Sequence, residues 1–166
     1  MDFAALYDSW FSRIYNYVRC HVWPASEADD VVGKIFEAAL RGHGNYDQAK
    51  GPVQAWLFGI ARNAVIDWAR ARGRRAEVSL DDAPEPAAGD PGLGAALERR
   101  EEKAQLLSAL AGLDDRSRDI IALKFNSGLN NREIAAMTGL GESNVGIIVY
   151  RAIKKMQADL EGRKEL

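Results

Sequence analysis

A chain of 166 residues, 47% of them hydrophobic, can form one medium domain or two small ones. Its single cysteine, Cys20, excludes a disulfide framework and leaves no metal-ligand set; the lack of a run of about 18 apolar residues or a basic-then-apolar leader predicts a cytoplasmic protein without membrane insertion. The formal net charge of −2 hides a segregated pattern: five arginines between Arg62 and Arg75 face Asp67 alone, six acids from Glu77 to Glu98 follow without a base, and Arg151, Lys154, Lys155, Arg163 and Lys164 make the end basic again.

The first predicted element is a helix with an aromatic-rich stripe, Phe3, Leu6, Tyr7, Trp10, Ile14, Tyr17, Val18 and His21, closed by Trp23-Pro24. A second helix starts at a cap formed by Ser26 with Asp29, carries Val32, Ile35, Phe36 and Ala39 on one side, and ends near Gly42. A polar loop over 42–51 holds Tyr46. Pro52 suits the first turn of a third helix, whose apolar side is Val53, Trp56, Leu57, Ile60, Ala61, Ala64, Val65 and Trp68, with Gly73 as its stop. Arg62, Asn63, Asp67 and Arg70 fall off that side and face elsewhere. Trp56 and Trp68 lie on it and read as core.

Residues 73–94 hold Pro84, Pro86 and Pro91 with four glycines and show no apolar periodicity, so they read as a flexible acidic linker. The domains expected are therefore 1–72 and 95–166. In the second, Leu97, Ala104, Leu107 and Leu110 define a helix closed by Gly112. Asp114 or Asp115 caps the next, which carries Ile120, Ile121, Leu123 and Phe125 and stops around Asn126-Ser127-Gly128.

The segment NREIAAMTGLGESNVGIIV then fills nearly every fixed position of a helix-turn-helix. Asn130 with Glu133 makes a capping box, Ala135 admits a close helix crossing, Gly139 supplies the turn, and Val145 and Ile148 point the second helix back at the first. That helix runs on through Ala152, Ile153, Met156 and Leu160. The fold class is all-α: two small helical domains joined by a linker, the last element built to read DNA. Two basic patches suit a protein that touches a phosphate backbone twice.

Over almost its full length the chain resembles the extracytoplasmic-function (ECF) group of bacterial sigma factors in the sigma-70 superfamily. LYDSWFSRIYNYV resembles the opening helix of sigma region 2, ASEADDVVGKIFEAAL the helix that grips the clamp of RNA polymerase, and AWLFGIARNAVIDWARARGRR the stretch that melts and reads the −10 promoter element. The segment from Leu110 to Met156 resembles region 4, whose helix-turn-helix reads the −35 element. The resemblance implies a non-catalytic initiation subunit that binds core RNA polymerase and promoter DNA, is held by an anti-sigma factor, and needs no cofactor. No Ser/His/Asp, paired-carboxylate or phosphate-loop arrangement supports an enzyme. A stand-alone helix-turn-helix regulator is the alternative, but it leaves the tryptophan- and arginine-rich third helix without a purpose.

By the same resemblance, the −10 surface comprises Tyr46, Ile60, Ala61 and Asn63 around an extruded base, with Arg62, Arg70, Arg72, Arg74 and Arg75 on phosphates. The −35 surface comprises Ser143, Asn144, Gly146, Ile147, Tyr150, Arg151, Lys154 and Lys155, and the polymerase contact comprises Asp29, Asp30, Val31, Lys34 and Ile35. Two departures stand out. Many relatives carry Gln-Glu where this chain has Gly33-Lys34, and a Lys-Ser-Arg run where it has Gly146-Ile147-Ile148. The second leaves the recognition surface unusually apolar and shifts binding toward Arg151, Lys154, Lys155 and DNA shape.

Overall fold

The computed structural model describes residues 1–75 and 94–166, without the side chains of 74 and 75. Seven α-helices and two short 3-10 turns make up the described residues: α1 (Phe3–Arg19), α2 (Ala25–Gly42), turns at His43–Asn45 and Gln48–Lys50, α3 (Val53–Arg75), α4 (Ala95–Ala111), α5 (Asp115–Asn126), α6 (Asn131–Thr138) and α7 (Glu142–Lys164). The expected linker lies largely outside the described residues.

In the N-terminal unit α1 and α3 flank α2, and the apolar stripes meet. Ile14, Tyr17, Val18, Ile35, Leu57 and Phe58 are fully buried, each side chain contributing on the order of 1.5–3 kcal/mol through removal from water. Phe58 was absent from the stripe read in the sequence, yet its ring meets Trp10 and Tyr17 edge-on at 6.2 and 5.5 Å. The apolar side of α3 is wider than a single row because α1 and α2 both press on it.

Three local expectations are corrected. Helix α1 ends at Arg19, so His21 sits in the turn beyond it. Helix α2 is not capped by Ser26, which falls inside the first turn; Pro24 occupies the cap position with extended backbone and no side-chain cap bond forms. Helix α3 passes through Gly73 to Arg75: one glycine costs about 1 kcal/mol in a helix, too little to stop one packed along most of its length.

In the C-terminal unit the caps follow the sequence closely. Asp114 accepts from the Ser117 amide, Asn130 and Glu133 close a capping box, and Gly139 ends α6 at φ +75°, in the left-handed region that glycine enters cheaply. The Arg118 guanidinium donates to the carbonyls of Leu110, Ala111 and Leu113 and so ties off the end of α4. Val145, Ala152 and Met156 bury α7 against its neighbours. Leu97 and Phe125, read from the sequence as members of the apolar stripes of α4 and α5, are exposed.

The two units are not separate bodies. Helix α5 packs on α1 and α6 touches α3, so Ile120, Leu123, Leu129, Ile134 and Val145 join the N-terminal core residues in one apolar cluster.

Candidate nucleic-acid interface

Helix α3 presents one polar edge. Asn63 and Arg70 are exposed there, while Ile60 is half-buried. Ala61 is fully buried in the core, so it does not line a base pocket as expected; the turn that exposes Asn63 points Ala61 inward. Tyr46 is held between the two 3-10 turns. Its hydroxyl donates to the Gly51 carbonyl at 2.9 Å and its ring lies 5.3 Å from that of Trp56. Trp56 and Trp68 are half-buried against the core, as read from the sequence.

The arginines divide. Arg72 donates to the Trp23 carbonyl at 2.9 Å and lies 5.1 Å over the Trp68 ring, whose Nε1 donates to Glu27 at 2.7 Å. It is a structural brace here rather than an open phosphate contact. Arg74 and Arg75 lie outside the described side chains. Arg62 turns to the other unit, where its Nε donates to Asp119 Oδ2 at 2.8 Å.

Asp119 is the centre of a polar cluster between the units that sequence reading missed. Its other oxygen accepts from the Tyr17 hydroxyl at 2.8 Å, and His21 Nε2 lies 3.6 Å away without a hydrogen bond. Burial, reinforced by the adjacent carboxylate, holds the Tyr17 phenol well above its usual range. Burial lowers the His21 imidazole to about 4 against the opposing pull of Asp119, so the ring is neutral near pH 7. In the sequence Asp119 is one acid among charged neighbours, and nothing local marks it as half-buried against another helix.

On α2, Asp29, Asp30 and Lys34 are exposed, while Val31 and Ile35 are buried in the core. The expected polymerase contact therefore splits into an outer polar row and an inner row that cannot be touched, because a helix turns about 100° per residue.

The recognition helix α7 offers Ser143, Asn144, Ile147, Tyr150, Arg151, Lys154 and Lys155 on its exposed side, with Gly146 half-buried. Lys154 Nζ sits 5.6 Å over the Tyr150 ring, and Lys155 Nζ donates to the Gly112 carbonyl at 2.9 Å. A Cβ at Gly146 would meet Asn131 Nδ2 at 3.6 Å. Among the described residues no group of three His, Cys, Asp or Glu is placed to hold a metal ion, and no helix is long and apolar enough to cross a membrane.

The sigma-70 region 2 model matches residues 6–75 and the sigma-70 region 4 model matches 103–156, the helices carrying the two surfaces just described. The ECF RNA polymerase sigma factor SigL of Mycobacterium tuberculosis is 30% identical over 95% of this chain and 88% of its own. This chain belongs to the ECF RNA polymerase sigma factors.

The sigma factor CnrH of Cupriavidus metallidurans is 33% identical over 86% of this chain and 78% of its own length. Its structure in complex with the cytosolic domain of CnrY superposes with a TM-score of 0.68 at 28% identity, covering 96% of this chain and 88% of that one. The ECF sigma factor BldN of Streptomyces coelicolor is 27% identical over 93% of this chain, which spans 58% of BldN. Sigma factors are regulatory proteins without catalysis of their own, and the helix-turn-helix of this one is its region 4.

Proposed function

We propose that this ECF sigma factor binds core RNA polymerase through the exposed row Asp29, Asp30 and Lys34 on α2, and acts in the cytoplasm, where polymerase works. Helix α3 reads the melted −10 element: Asn63 can hydrogen-bond a base edge bidentately, Tyr46 and Ile60 border the site, and Arg62 and Arg70 meet phosphates. Helix α7 reads the −35 duplex through Ser143, Asn144, Ile147, Tyr150, Arg151 and Lys154. The domains are a region 2 unit over 1–72, extended by the last turn of α3, a linker up to residue 94, and a region 4 unit over 95–166.

The observation that carries this reading is the coexistence in one chain of an exposed polar edge on α3 and a fully formed helix-turn-helix with its second helix open on the outer side. A stand-alone regulator needs only the second. Because Arg62 is committed to Asp119 here, promoter engagement belongs to a form in which that pair is released. CnrH has been captured with the cytosolic domain of another protein. A comparable anti-sigma partner would hold this chain away from polymerase.

Transcription in vitro with core polymerase on promoter DNA selected by the holoenzyme tests the proposal. Initiation dependent on this chain, lost on Asp29→Ala/Asp30→Ala, is the expected result. Specific tight binding of duplex DNA by the chain alone, with no effect on polymerase, overturns it.

A further inference from the structure

We infer that α7 reads thymine by its methyl group, with Ile147 and Tyr150 as specificity-determining side chains. This rests on α7 being the duplex-reading helix. Ile147 is 48% exposed and Tyr150 64%, while Val145, Ala152 and Met156 on the opposite side make the core contacts. Two large apolar side chains one turn apart are thus left in water on the N-terminal half of the second helix, the part of a helix-turn-helix that meets base edges. In the major groove the apolar feature that a base edge offers is the thymine C5-methyl.

The spacing fits. Three residues of α-helix rise about 4.5 Å, close to the roughly 3.4 Å step between base pairs. Ile147 and Tyr150 therefore address neighbouring pairs. Ser143, Ile147 and Tyr150 share this exposed side of α7, while Gly146 lies on its flank, where a Cβ would meet Asn131 Nδ2 of α6 at 3.6 Å. Charge around the patch matches DNA rather than an apolar protein face: Arg151 and Lys154 on α7 and Arg132 on α6 are all exposed. They can meet phosphates beside the apolar pair, with the Lys154 ammonium lying 5.6 Å over the Tyr150 ring.

The test uses holoenzyme assembled from core polymerase and the full chain. A duplex is first selected from a pool randomised across the −35 region. Each thymine of the selected element is then replaced by deoxyuridine, which keeps Watson–Crick pairing and removes only the methyl. Replacement at the responsive positions should weaken binding about fourfold per methyl, equivalent to about 0.8 kcal/mol. Ile147→Ser and Tyr150→Ser should each erase the uracil effect at one position.

Arg151→Ala serves as the control on the helix itself. Equal affinity for thymine and uracil at every position, with Arg151→Ala still weakening binding, overturns methyl readout and leaves α7 as the duplex reader. If Arg151→Ala also has no effect, both fall. A selected element without A·T pairs, or Ile147→Ser and Tyr150→Ser variants that keep polymerase binding and full uracil discrimination, likewise overturn the inference.

Discussion

Arg62 on α3 and Asp119 on α5, 57 residues apart in the chain, share a charge-assisted hydrogen bond of 2.8 Å across the contact between the two units. Both side chains are mostly buried, so solvent screens the pair less than a surface bridge. The same carboxylate receives the Tyr17 hydroxyl, which makes Asp119 the residue on which three groups of the N-terminal unit converge.

Asp119→Asn keeps the shape and one acceptor while removing the charge. A hydrogen bond to a charged partner is worth about 1.5–3 kcal/mol, and the partial exposure of Arg62 places the loss toward the lower end. The variant should unfold at lower denaturant and show a larger radius in small-angle scattering as α5 leaves α1. Arg62→Ala should give a similar expansion, and the double variant little more. Additive effects would show that the two residues act independently.

The individual helices were legible because each carries its own period and its own stop. The stripes of α1, α2 and α3 and the Asn130/Glu133 box are local patterns, and local patterns survive without knowledge of the partner. Leu97 and Phe125 misled because periodicity marks an apolar face without saying whether anything covers it. Phe58 was missed for the converse reason: two neighbours widen the buried face of α3. The union of the two units was not legible at all. It depends on Ile120, Leu123 and Asp119 meeting α1 and α3 across a long sequence separation, and α5 reads equally well as part of a self-contained bundle. The candidate surfaces were legible as helices but not as faces, which is why Ala61, Val31 and Ile35 fell on the wrong side.

Asn63 separates a base-reading role from a packing role. Its side chain is exposed on α3, so Asn63→Ala should leave thermal stability nearly unchanged. Initiation at the preferred −10 sequence should fall, with discrimination there flattened by about 1–3 kcal/mol. A large stability loss with unchanged promoter preference would assign Asn63 to the fold instead.

His21 makes stability depend on pH in a defined window. Its folded pKa is lowered to about 4 from the usual 6.5, so well above pH 6.5 the ring is neutral in both states and adds no pH dependence. As the pH falls from 6.5 toward 4 the unfolded chain takes up a proton that the folded chain refuses, and stability drops by up to roughly 3 kcal/mol. Urea midpoints measured from pH 7.5 to 5 should decline more steeply for the parent than for His21→Gln. Parallel slopes would remove His21 as the cause.

Gly139 tests whether the helix-turn-helix depends on backbone conformation alone at its corner. It sits at φ +75°, yet a Cβ there would meet nothing within 4 Å. Gly139→Ala therefore adds no clash, and its cost comes from holding an L-residue in the left-handed region, about 1–2 kcal/mol. Asparagine tolerates that region better than alanine because its side chain bonds locally, so Gly139→Asn should recover part of the loss. The order Gly, Asn, Ala in thermal midpoint is expected, with −35 affinity falling in the same order if the turn sets the angle at which α7 is presented. Equal midpoints for alanine and asparagine would mean the corner relaxes into another conformation, and −35 binding by each variant would then report how far α7 has swung.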